Sequence, residues 1–523
     1  MSKKSFTRLK LKNSNLLTTG FGRLTPFYLA CNIPKDRLTK SDGFNVQFMP
    51  MLAPAFQDCR MYVHYYWVPE RILHINEEYN AFVSRENRTL ATLSAVPTYK
   101  SYTTLGDICT ALNTTYRNNQ SGSVVPWDYS KGFILNQLPD YMRVQLGEGS
   151  DYSKNSDKIL IEPFVAYFKI FLDHYCSTQY NTFMIESTNT DGSYNYHSIP
   201  YDDLVWFFSY LQKIGFNTYV SMATGVTLPK SGIQTKVLLL LMQVLHVQYG
   251  RKGDMFMELY PSTDEVASTQ PTGSTIEALR LNNLVTKYKE RIARVGHGVR
   301  EFYEEFFGFK SKSVIDGMSK FLGGGRCNIN IDDVLQSSET TETSALGELG
   351  GNGWKKSAFG HGRRFFDDYG YAFGLVYFIP KQSYYQGIDD LYGRIYPDDM
   401  YLEAFDSVGD EGVKLRELYT STNDITNDTI LGYQPRYRRY DRAKDEIHGD
   451  FCQSLLYWHQ SRLLPNTVTA QNIRQVFAAP QGLNRIFNYN GIVSEAGEQP
   501  IMLYVRNVAK WKRNKRYSPR PHL

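Results

Sequence analysis

The sequence predicts a mainly β protein of the Greek-key or jelly-roll kind, and three observations carry that expectation. Aromatic residues make up 14% of the chain, led by 39 tyrosines and 30 phenylalanines, and such side chains pack well on a pleated surface. Several segments alternate apolar and polar residues or run rich in β-formers. The clearest of these segments lie near opposite ends of the 523-residue chain. Strands so far apart in sequence pair through long connections, as in jelly rolls, and not as local meanders.

Each strand has its own signature. Phe44 to Phe48 alternates as a half-buried strand does, and Arg60 to Val68 (RMYVHYYWV) follows after Pro50 and Pro54. Pro69 ends that run because it cannot donate to a ladder. Tyr369 to Ile379 and Ile501 to Val508 supply two more, the last running into a basic C-terminus. One long helix is predicted near 276–307. Leu281, Val285, Tyr288, Ile292, Val295, Val299, Phe302 and Phe306 recur every three or four residues there. Gly296 and Gly298 weaken it. Two stretches, about 181–275 and a glycine-rich 336–363, read as long loops. The whole chain, 1–523, reads as one domain carrying these insertions.

Charge is distributed unevenly. Net charge is +5, yet residues 1–35 hold seven Lys or Arg and no acid, and residues 506–523 hold seven more and no acid. The body between is therefore acidic. Two basic arms on an acidic body suit a polyanion partner, although solvated tails would show the same composition. Lys3, Lys4, Arg8, Lys10 and Lys12 at one end, with Arg506, Lys510, Lys512, Arg513, Lys515 and Arg516 at the other, are the candidate phosphate contacts. Trp511 sits among them as a candidate stacking face for an unpaired base.

Catalytic constellations are not found. The glycine-rich Gly347–Ser357 has Trp354 where a phosphate-binding loop needs lysine. Asp-Asp pairs at 202–203, 332–333, 367–368, 389–390 and 398–399 could suggest glycoside hydrolysis, but neighbours on a strand point to opposite faces. The ten histidines and six cysteines are scattered, so no metal, cofactor or disulfide framework is expected. The N-terminus lacks an apolar signal core and no run approaches a membrane span, so a cytoplasmic origin without membrane insertion is expected.

Six blocks in order also resemble the major capsid proteins of the Microviridae, closest to the gokushovirus type. They begin with Pro50-Met-Leu-Ala-Pro54 and Met61 to Arg71, then Glu162 to Phe168 with Tyr175. Leu322-Gly-Gly-Gly-Arg326, Asp332 to Ser337 and Leu346 to Gly351 form a glycine-rich centre. Tyr371 to Pro380 with Tyr385-Gln-Gly387 follows, and then Gly432 to Tyr437 and His448 to Phe451 with Trp458-His459. Pro34-Lys35-Asp36 stands where that family has Pro-Gly-Asp, a departure at a tight turn. The 181–275 stretch, where relatives carry a variable loop, has no detailed match.

The resemblance implies an eight-stranded antiparallel jelly roll with large inserted loops and several helices, and a structural, non-enzymatic role. Copies would form an icosahedral T=1 virion around circular single-stranded DNA, with assembly in the host bacterial cytoplasm. Candidate partners are the chain itself, the genome, an internal scaffolding protein, a DNA pilot protein, a small DNA-binding protein and a bacterial surface receptor. Two other readings stay open from the residues alone: a carbohydrate-binding or glycoside-hydrolase-type β protein, and a soluble single-stranded-DNA-binding protein.

Overall fold

The computed structural model describes residues 7–73, 318–335, nearly all of 349–381, and 499–513, with shorter stretches within 102–200 and 383–487. Eight strands form one antiparallel sheet: β1 (Thr7–Thr19), β2 (Thr25–Asn32), β3 (Arg37–Phe48), β4 (Cys59–Pro69), β9 (Lys320–Leu335), β10 (Leu349–Phe365), β11 (Gly370–Pro380) and β14 (Ile501–Arg513). The remaining strands pair as β5 (Tyr102–Thr104) with β6 (Lys158–Leu160), β7 (Thr182–Thr188) with β8 (Tyr194–Pro200), and β12 (Asp410–Lys414) with β13 (Ile430–Pro435). A short helix α1 (Leu138–Tyr141) and a longer α2 (Glu162–His174) complete the frame.

The large sheet runs β1-β14-β3-β10-β9-β4-β11-β2. The first strand thus lies beside the last, and the sheet curls until its edges, β1 and β2, approach each other. The seam is bridged by Asn15 Nδ2 donating to the Phe27 carbonyl at 3.2 Å and by the Thr19 and Thr25 hydroxyls at 2.6 Å. This is the nested Greek-key order of an eight-stranded jelly roll.

Alternation decides which side chains enter. On β3 every even residue from Leu38 to Phe48 is buried, and on β14 every odd residue from Ile501 to Trp511 is buried. Burying Ile501, Leu503 and Val505 fully contributes about 1.5–3 kcal/mol each. Phe27, Phe44, Phe48, Tyr65, Trp67 and Phe366 fill the interior, with Phe27 edge-on to Phe44 at 5.1 Å and to Tyr65 at 5.9 Å. β11 is buried on both faces, because α2 covers its outer side. That helix starts with Glu162-Pro163, proline being suited to a first turn, and buries nearly every residue after it. Its Tyr167 hydroxyl donates to the Leu24 carbonyl at 2.6 Å, and Tyr371 donates to Glu162 at 2.5 Å. Across the β4–β11 ladder, Tyr62 and Tyr377 stack at 4.9 Å.

The strands expected at 44–48, 60–68, 369–379 and 501–508 all form, three of them with longer bounds and the third as Gly370–Pro380, shifted by one residue. Three expectations change. The basic arms are not tails where they are described: residues 7–19 and 25–32 are barrel strands, and 506–513 is the second half of β14. The glycine-rich 336–363 is not a continuous loop either, since 349–365 is strand β10. Its glycines serve close packing. A Cβ on Gly360 would lie 2.1 Å from the Lys40 carbonyl oxygen of β3. Within the expected 181–275 loop, β7 and β8 form a hairpin. The rest of that stretch from 201 onward and the helix expected at 276–307 lie outside the described residues.

The departure at Pro34-Lys35-Asp36 leaves the turn intact. Lys35 adopts φ +74°, the left-handed conformation glycine favours. The Asp36 amide donates to the Ile33 carbonyl at 3.1 Å, and its carboxylate accepts the Ile33 amide at 3.2 Å.

Two glycines on one strand test the packing account. Gly360→Ala should lower unfolding free energy by about 1–3 kcal/mol in chemical denaturation. Gly362→Ala, with nothing within 4 Å of its added Cβ, should cost far less. Equal losses would contradict the close-approach argument.

Candidate nucleic-acid interface

β14 lies between β1 and β3, so its outward residues meet neighbours on both sides. Register pairs Arg8 with Lys512 and Lys10 with Lys510 on one side. On the other it pairs Lys512 with Arg37 and Lys510 with Thr39. Directly opposed residues share a face, and like charges so placed repel. The result is a row Arg8–Lys512–Arg37 with Lys10–Lys510 beside it. Arg363 of β10 joins them around a groove of about 460 Å³, and among the described residues that line it none is acidic. Partial desolvation, followed by the charges of Arg37, Arg363 and Arg8, pushes the Lys512 ammonium below its ordinary value.

The other candidate residues fall in three places. Lys12 and Arg506 are exposed on the same outer side. The Arg506 guanidinium lies over Gly43, where a missing side chain leaves room, 3.5 Å from the position a Cβ would take. Lys3, Lys4, Lys515 and Arg516 lie outside the described residues.

Trp511 and Arg513 are corrections. Odd positions of β14 face the interior, so Trp511 is 2% exposed, packed 6.0 Å from Phe366, and offers no face to a base. Arg513 folds its guanidinium 3.8 Å over the Trp511 ring. It also donates to the buried Asp36 carboxylate at 2.8 Å and to the Cys31 carbonyl at 2.9 Å. Its charge is spent on the fold.

Sequence reading missed Arg37 and Arg363. Arg37 lies just past the basic 1–35 segment and Arg363 in the middle of the chain, and only cross-strand register brings them to the groove.

Beneath this face, Asp42 secures β14. The β3–β14 ladder is interrupted between Arg506↔Gly43 and Ala509↔Lys40. There the Val508 amide donates to Asp42 Oδ1 at 2.7 Å instead. Asp42 Oδ2 accepts the Tyr65 hydroxyl at 2.7 Å, and Lys40 Nζ lies 3.0 Å from Oδ1. Lys40 also sits 3.5 Å over the Tyr28 ring. Burial pulls the Lys40 ammonium down to about 8, against the pull of Asp42, and raises the Tyr28 phenol to about 12.

The family model for "Capsid protein (F protein)" matches residues 213–489, more than half of the chain. Within that span lie β9, β10, β11, β12 and β13, while β1–β4 and β14 lie outside it. Capsid protein VP1 of Bdellovibrio phage phiMH2K is 29% identical over 195 residues, 36% of each chain. Capsid protein VP1 of Chlamydia phage 1 is 25% identical over 206 residues, covering 37% of this chain and 35% of that one. Capsid protein VP1 of Spiroplasma virus 4 is 28% identical over 197 residues, 36% and 35%. The matched stretches thus span about a third of these relatives.

Lys40 yields a test. Its folded-state value lies below the unfolded 10.5, so between pH 8 and 10.5 the unfolded chain binds more protons and stability rises with pH. Relative to Lys40→Met, the wild-type protein should gain roughly 3 kcal/mol across that window in denaturation series. The raised tyrosines are common to both proteins and cancel. A pH-independent difference would contradict the buried ammonium.

The jelly-roll order, the ordered sequence blocks and the family match agree: the chain belongs to the capsid protein (F protein) family and resembles the capsid proteins of microviruses.

Proposed function

We propose that this chain is the major capsid protein of a small phage. Many copies close into an icosahedral shell around a circular single-stranded DNA genome, and the face of β1 and β14 turns inward onto that DNA. The observation that carries the DNA contact is the groove in which Arg8, Lys10, Arg37, Arg363, Lys510 and Lys512 converge, with no acid among its described lining residues. Cations arranged this way neutralise phosphates without reading bases. An aromatic stacking contact is not part of the reading, because Trp511 belongs to the core. Membership of a capsid family supports self-assembly, in which identical subunits meet through contacts that close. Residence is the virion, with assembly in the host bacterial cytoplasm.

The test leaves Arg513 intact, since its loss would strand the buried Asp36. Replacing Arg8, Lys10, Lys12, Lys510 and Lys512 by Gln should leave shells that form, seen by negative-stain electron microscopy, with little packaged DNA. Binding of a labelled oligodeoxythymidylate should also lose salt dependence, by roughly 0.7 in log–log slope per phosphate contact removed. Normal packaging by this variant would show that the genome is held elsewhere.

A further inference from the structure

The groove has a second consequence, which rests on the DNA-contact reading. β1 ends the sheet order, so among the described strands β14 is its one ladder partner. Its first half buries little: residues 7–14 are exposed or half-buried, and Leu11 is 49% exposed. What holds this half is therefore mainly its backbone ladder to β14. Against that ladder stand two directly opposed cation pairs, Arg8–Lys512 and Lys10–Lys510, with Arg37 beyond the first. Among the described residues that line the groove none is acidic, so none of them offsets the Lys10–Lys510 pair. The ribbon formed by the two chain ends is thus weakened by the same charges that suit it to a polyanion.

We infer that phosphodiester groups of single-stranded DNA, seated in the groove of Arg8, Lys10, Arg37, Arg363, Lys510 and Lys512, lock the pairing of β1 with β14. The phosphates lie between cations that repel one another when the groove is empty. A ligand that binds only the paired ribbon stabilises it, and the paired ribbon in turn binds the ligand better. DNA contact and closure of the barrel edge are then one linked equilibrium. The subunit's inner edge tightens where the genome touches it and loosens where it does not. Arg37 and Arg363, held on β3 and β10, anchor the strand from outside the ribbon.

Hydrogen–deuterium exchange on the full chain reads this directly, with and without a short oligodeoxythymidylate at low salt. Saturating oligonucleotide should slow exchange of the amides at 8–12 and 508–513 by about threefold or more, with β4 and β11 unchanged. The Lys10→Gln/Lys510→Gln variant should show slower exchange in the ribbon without any DNA, and a smaller further effect on adding it. Arg37→Gln/Arg363→Gln should abolish the protection by DNA while leaving the DNA-free ribbon no less ordered. Fluorescence anisotropy of the labelled oligonucleotide separates the two claims. Binding without ribbon protection would overturn the linkage and leave the DNA contact standing. Absence of binding would remove the contact and the linkage with it. Unchanged or faster exchange in the DNA-free Lys10→Gln/Lys510→Gln variant would overturn the repulsion on which the linkage depends.

Discussion

One carboxylate, Asp42, holds the last strand of the chain in place. It accepts the Val508 amide where the β3–β14 ladder is interrupted, takes the Tyr65 hydroxyl from across the barrel, and faces Lys40 at 3.0 Å. These groups come from β3, β4 and β14, so a single buried acid ties two early strands to one more than 400 residues later in the chain. Losing it would leave the Lys40 ammonium buried without compensation, a costly arrangement in a low-dielectric interior. A second buried acid, Asp36, repeats the device further along β14 through Arg513. The interior face of the last strand is thus fastened by charge as well as by apolar packing.

Topology converts that fastening into a surface. Because β14 lies between β1 and β3, securing it also seats β1, whose one ladder partner among the described strands it is. The two basic ends then stand side by side and alternation sorts them by face. Apolar residues and Trp511 go in, while Arg8, Lys10, Lys510 and Lys512 go out. Charge that reads as two separate tails in sequence becomes one cationic face.

The sequence made part of this legible. Strand positions followed from alternation and β-forming composition at Phe44–Phe48, Arg60–Val68 and Ile501–Val508, since those patterns depend on local geometry alone. The pairing of the chain ends was implied by strands at both termini, but register was not, because it depends on which residues meet across a ladder. Arg37 and Arg363 were missed for that reason. Trp511 was misread because a cation-rich run hides its own period. Counting alternate residues back to Ile501, which is buried, would have turned the indole inward. Glycine-rich β10 looked like a loop because the ring and backbone contacts its glycines permit lie on other strands. Lys35 shows the reverse case, where surrounding hydrogen bonds keep a left-handed turn that its own side chain disfavours.

The dependence of the barrel and its basic face on the last strand is tested most directly by equilibrium denaturation of a chain ending after Pro500, compared with the full-length protein. Without β14, the barrel loses Ile501, Leu503, Val505, Ala509 and Trp511 from its core, and both β1 and β3 lose a partner. Loss of cooperative unfolding, regained when a peptide of residues 501–513 is supplied in trans, is the predicted result. A truncated chain that unfolds cooperatively at the full-length midpoint would contradict the account.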